Sequence, residues 1–189
     1  KQSTNAVAIG YEAGENSQSI FSIAIGRLAG NISQNTLSIA IGTQAGETSQ
    51  GSHSVAIGFN AGKTTQDNGA VAIGHGAGQT TQGRASVAIG QQAGEVDQND
   101  LSVAVGFSAG QISQAISSIA IGNAAGSTSQ SSYAVAIGRL AGNESQNTFT
   151  VAIGHQAGQT SQSSYGVAIG KEAGKTNQGD YSIALGYFA

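Results

Sequence analysis

The chain has 189 residues and a formal net charge of −3; 29 residues are glycine, only 9% are charged, and proline, cysteine, methionine and tryptophan are absent. Seven Lys and Arg without a basic run leave no electrostatic footprint for nucleic acid or anionic lipid, and no apolar stretch approaches the ~20 residues of a membrane span. The composition fits neither collagen nor a charged disordered tail, and a lack of cysteine suits the cytosol and an exported fibre equally.

A sixteen-residue unit, [VI]-A-[IVL]-G-x-x-A-G-x-x-x-Q-x-x-x-x, runs through the chain twelve times without insertion or deletion. Its first position is Val7, Ile23, Ile39, Val55, Val71, Val87, Val103, Ile119, Val135, Val151, Val167 and Ile183. A period this strict belongs to a stacked array, in which each turn of chain rests on the previous one. No linker interrupts it, so residues 1–189 read as a single continuous repeat module, expected to be a fragment of a longer fibre protein.

Positions 1–3 place β-branched residues two apart with alanine between them, as in Ser54-Val55-Ala56-Ile57-Gly58, which is strand spacing. A helix is opposed by the glycine pairs, since each interior glycine costs it about 1 kcal/mol. Gly10 with Gly14, and Gly58 with Gly62, mark G-x-x-A-G as the corner where the chain reverses. A second extended stretch follows, typified by Glu47-Thr48-Ser49-Gln50, and ends in turn residues such as Gly51, Asp67, Gly83 and Asn99. The expected fold is all-β: a parallel β-roll or β-solenoid of twelve 16-residue coils with two short strands each. Eleven steps at the strand spacing give a rod of roughly 50 to 55 Å.

The central alanine never varies from Ala8 to Ala184, although its neighbours point the other way. This reads as a strand restricted on both faces, making Val7, Ala8, Ile9, Val55, Ala56, Ile57, Val135, Ala136 and Ile137 core or interface positions. Two large aliphatics per turn are a small apolar payload for ordering sixteen residues, and a further copy of the same chain is the expected cover. Glutamine recurs at Gln2, Gln18, Gln34, Gln50, Gln66, Gln82, Gln98, Gln114, Gln130, Gln146, Gln162 and Gln178. Stacked amides can hydrogen-bond rung to rung; the rival reading is a polar lining around an assembly axis.

Ser-Val-Ala-Ile-Gly at Ser54–Gly58 and Ser86–Gly90, with Ser-Ile-Ala-Ile-Gly at Ser22–Gly26 and Ser38–Gly42, resembles the head repeat of trimeric autotransporter adhesins of the YadA type. The resemblance covers nearly the whole chain, and the A-G-x-x-x-Q tail in every unit departs from it. It implies a left-handed roll, three chains wound side by side as a homotrimer, and attachment at a bacterial surface. Similar repeats in viral and phage fibres imply the same trimeric fold on a virion.

Functional residues should break the repeat, and few do. Of the three histidines, His53, His75 and His155, the latter two share one variable corner column five turns apart, too far for a common metal within one chain, and read as exposed surface residues. Glu95, Asp97 and Asp100 form the densest acidic group and read as a solvated turn rather than a Ca²⁺ site. Gly74–Gly78 mimics a phosphate loop without the lysine or the helix one needs. No G-x-S-x-G elbow is present, and Asn31 and Asn143 open sequons common by chance in so polar a chain. A threonine column including Thr48, Thr64 and Thr80 is too interrupted for an ice-binding face.

Tyr11, Phe59, Phe107 and Tyr187 in the corner column form a possible outer contact ridge for a glycan or protein receptor. A second column, including Phe21, Leu37, Leu101, Tyr133, Phe149, Tyr165 and Tyr181, reads as packing beside a neighbouring subunit. The expected function is a structural and adhesive segment of a trimeric extracellular fibre on a cell surface or virion, with no enzymatic activity, no cofactor or metal, no nucleic acid and no membrane insertion by this segment. Its expected partners are itself and an unknown surface receptor or glycan. The alternative is a filament subunit that stacks end to end.

Overall fold

The computed structural model describes residues 2–189, and all regular structure among them is β. Twelve three-residue strands, from Val7–Ile9 to Ile183–Leu185, form one parallel sheet whose spatial order is the repeat order. Register moves by one unit per step: Val55 lies opposite Val71, Ala56 opposite Ala72 and Ile57 opposite Ile73. Twelve strands leave eleven steps, so the molecule is a parallel β-solenoid of about eleven turns. Parallel neighbours usually need a helical crossover. Here the G-x-x-A-G corner, a second extended stretch and a turn bring the chain back.

That second stretch is not a strand in every coil. It forms a three-stranded piece, Asn16–Gln18 to Thr48–Gln50, and a five-stranded piece, Val96–Gln98 to Thr160–Gln162. Between them Gln50, Gln66, Gln82 and Gln98 keep only single bridges. The cause is local. Where the strand exists, the residue before glutamine has a left-handed backbone, as at Ser49 (φ 55°), Asp97 (54°) and Ser113 (57°). The two interrupted coils have Thr65 and Thr81 there, and neither takes positive φ, because a β-branched side chain is penalised most in that region.

The interior explains the invariant positions. The strand alanine (Ala56) and the corner alanine (Ala61) point inward and are fully buried, as are their equivalents from Ala24 to Ala173, all but those of the two terminal coils. The largest fully buried side chains are the glutamines and Thr150; no large aliphatic is among them. A β-carbon on Gly58 (φ +130°) would sit 2.6 Å from the Gly74 carbonyl oxygen, and one on Gly62 (φ +51°) would sit 2.9 Å from the Gln66 amide. The coil is so narrow that the alanine is fixed by its own chain. Its constancy therefore needs no second molecule, and what faces outward becomes the question.

Candidate interaction surface

With alanine turned inward, strand alternation turns positions 1 and 3 outward. The Val and Ile columns stand on the outer face, partly covered only by their neighbours up and down the stack: Ile89 is 38% exposed, Ile121 37% and Ile153 36%. Of the residues expected as core or interface, Ala56 and Ala136 line the interior, Ala8 is half-buried in the first coil, and Val55, Ile57, Val135 and Ile137 are half-buried on this face with Val7 and Ile9 more open. A continuous aliphatic strip along a rod is unusual for a surface left in water.

Two ridges of side chains border the strip. On one edge is position 15, whose backbone is left-handed in every coil, including Phe21 (φ 56°), Leu37 (59°), Tyr133 (61°), Phe149 (59°) and Tyr165 (59°). Bulky residues rarely occupy this region. Tyr133, Phe149, Tyr165 and Tyr181 stack there in succession, with ring centroids 4.9, 5.4 and 4.8 Å apart and planes within 13°. All four are about half exposed or more. Sequence reasoning placed these rings in one column without seeing that they form a ladder; the signal was four aromatics spaced by sixteen residues.

The other edge is the corner column, position 5. Its expected contact residues Tyr11, Phe59, Phe107 and Tyr187 are exposed but lie on separate, non-adjacent coils. Phe59 stacks on His75 at 5.3 Å, and the Glu12 carboxylate beside Tyr11 raises its phenol pKa above the usual value. Arg139 Nη1 lies 2.8 Å from His155 Nε2, while Lys171 Nζ sits 5.1 Å from the Tyr187 ring centre. Lys175 donates to Glu172 at 3.0 Å and holds that carboxyl below the usual glutamate range.

The glutamine row lies inside each coil, so it cannot line an axis shared between chains. Each Nε2 spans the interior to the opposite strand, as from Gln98 to the Val87 carbonyl at 2.9 Å. From Gln50 to Gln146 each Nε2 also donates to the Oε1 of the next glutamine, ending at Gln162, at 3.0–3.3 Å. At the ends the ladder lapses: Oε1 of Gln18, Gln34, Gln50 and Gln178 is buried without a donor. Ser22, Ser38, Ser54, Ser86 and Ser102 close the preceding turn, each Oγ donating to the carbonyl three residues back at 2.6 Å.

The remaining sequence candidates are committed to neighbouring coils. The sequon amides donate to corner carbonyls one coil back, Asn31 to Glu12 at 2.7 Å and Asn143 to Ala124 at 2.9 Å. Glu95 accepts from Gln111 at 2.7 Å, and Asp100 accepts from the Arg84 backbone at 2.8 Å. Gly74–Gly78 is the ordinary corner with Gly76 added, and the Gly78 N–H donates to the Ala93 carbonyl. Among the described residues no three His, Cys, Asp or Glu side chains converge, and no helix is long and apolar enough to cross a membrane.

A family model for the YadA head domain repeat matches the chain in two copies over residues 34–61. That range contains Ser38–Gly42 and Ser54–Gly58, two of the motifs that carry the resemblance. No curated protein and no solved structure matches the chain.

Proposed function

We propose that this chain is the structural and adhesive segment of a trimeric extracellular surface fibre, in which three parallel copies turn their aliphatic strips toward a common axis. The observation that carries this reading is the outward strip itself. The interior is already filled by alanine, glutamine and serine, so the Val and Ile columns gain burial only from another molecule. Permanent interfaces between identical chains are large and apolar, like a core cut in half. Repetition along the rod supplies such an area without any local hot spot. The match to an adhesin head repeat supports the extracellular setting and the role in attachment, with the variable outer residues facing a glycan or protein receptor. The role is mechanical and non-catalytic, since the polar groups of each coil are spent on the coils beside it.

Light scattering of the purified chain tests the assembly. A discrete trimer is expected; a monomer at micromolar concentration overturns the proposal, and open-ended polymers replace it with an end-stacking filament. Ile89→Glu, which places charge on the strip without entering the coil, is expected to shift the trimer toward monomer with the β circular-dichroism signal retained. The adhesive role is tested by retention of the trimer on immobilised glycans and matrix proteins; no retention removes adhesion and leaves a shaft.

A further inference from the structure

The two ridges bordering the strip have complementary chemistry, coil by coil. Arg139 and Lys171 on the corner ridge lie six residues after Tyr133 and Tyr165, at the far end of the strand that follows each ring, and His155 lies six residues after Phe149. The same pairing returns near the other end of the chain with Phe21 and Arg27. Every Arg or Lys in the corner column thus faces a ring across the strand that precedes it. Within one chain these partners never meet, because they occupy opposite edges of the strip, on the order of 15–20 Å apart along six residues. The cation–ring contacts among the described residues run along the corner instead, from Lys171 to Tyr187 in the same column and to Phe188 beside it.

Resting on the trimeric reading above, we infer that the aromatic ridge of one copy seats against the cationic corner ridge of the next, coil level with coil, and so sets the orientation and register of the assembly. Symmetry supplies the contact. Parallel copies related by rotation about a shared axis bring the position-15 edge of one chain to the position-5 edge of its neighbour. An antiparallel pair would set like edges together, cation against cation. Rotation without rise keeps equivalent coils level, whereas a slip of one coil places Leu37 opposite Arg27.

The contact chemistry follows from what each ring leaves free. The faces of Phe149 and Tyr165 are covered by ladder neighbours, so the tyrosine hydroxyls and ring edges look outward. Arg139 and Lys171 donate to the phenol oxygens and lay their aliphatic stems along the ring edges. Phe21, outside any ring stack, offers its face to Arg27. Position 15 is left-handed in every coil, whether it holds Gly69, Ala85 and Ser117 or a large ring, so the array fixes the backbone there and the contact between copies accounts for the choice of a ring beside each cation.

The absence of native cysteine makes a clean test. Chains carrying Tyr165→Cys and chains carrying Lys171→Cys are co-expressed and treated with a short bismaleimide. Covalent dimers on a denaturing gel are expected from the mixture and from neither variant alone. Tyr133→Cys with Arg139→Cys is a second pair, and Tyr165→Cys with Arg27→Cys, about 43 Å apart along the stack, is the register control. Ala85 and Ser117 in one column, with Thr43 and Gln91 in the other, show that both positions accept small or polar side chains. A trimer by light scattering with no cross-linking of either level pair above the control overturns this inference and leaves the trimer standing. A monomer by light scattering overturns both.

Discussion

Gln98 lies in the middle of the amide ladder and Gln34 beyond its end, and this difference gives a measurable asymmetry between two chemically identical substitutions. Gln34→Ala removes donations to the Ile23 carbonyl (2.8 Å) and, weakly, to the Ser38 carbonyl (3.4 Å). Gln98→Ala removes the matching pair to Val87 and Ser102 and also the donor to Gln114 Oε1 at 3.1 Å, leaving that oxygen buried and unpaired. Gln82 loses an acceptor but keeps its bond to Val71. One orphaned buried acceptor costs about 1–3 kcal/mol, so Gln98→Ala should destabilise by about that much more than Gln34→Ala. In a chain of this size the gap corresponds to about 2–4 °C in melting midpoint per kcal/mol.

Coils near an end of a solenoid fray, so position alone could produce a difference. Ser38→Ala and Ser102→Ala control for it, because each removes an identical 2.6 Å hydroxyl bond in the same two turns. The assay is thermal unfolding of all four variants followed by circular dichroism. If the glutamine gap is no larger than the serine gap, the ladder adds nothing beyond each glutamine's bond across its own coil, and the reasoning fails.

Gly58→Ala should cost about 2–4 kcal/mol, from backbone strain and a disturbed ladder bond to the next coil, whereas Gly69→Ala, with open space around it, should cost about 1 kcal/mol; denaturant titration of both checks the contrast. Ser113→Val should destabilise by about 1–2 kcal/mol because its φ is 57°, while Ser113→Asn stays near the parent, with amide exchange reporting loss of the local second-sheet pairing only in the valine variant. The Glu172 carboxyl should titrate below the usual glutamate range, since the Lys175 hydrogen bond favours its charged form. Its stabilising contribution is therefore present above the ordinary glutamate pKa and lost as pH falls through the lowered one. Lys175→Gln should move the NMR-detected midpoint upward, and an unchanged midpoint would assign the shift to another group.

The amino-acid sequence by itself determined the period, and the period dictated the stack. A spacing of sixteen with no insertion leaves one register for Val55, Val71 and Val87, and glycine pairs four apart leave few places for the corners. Gly58 and Gly62 were legible because neither site has room for a β-carbon, Gly58 against the backbone of the next coil and Gly62 against the Gln66 amide of its own. What only the tertiary structure decided was which side of the strand is inside. Alternation says that Ala56 and its neighbours point oppositely, but it is symmetric under exchange of the two faces. The choice falls to interior width, because the corner glycines and the glutamine amides leave room for a methyl group and nothing larger. The left-handed backbone at Tyr165 and the ring ladder built on it were also invisible to propensity, which assigns aromatics to strands and glycine or asparagine to positive φ. Stacking repeats one geometry in every coil, so a backbone shape set by the whole array holds at each position whatever the local residue prefers.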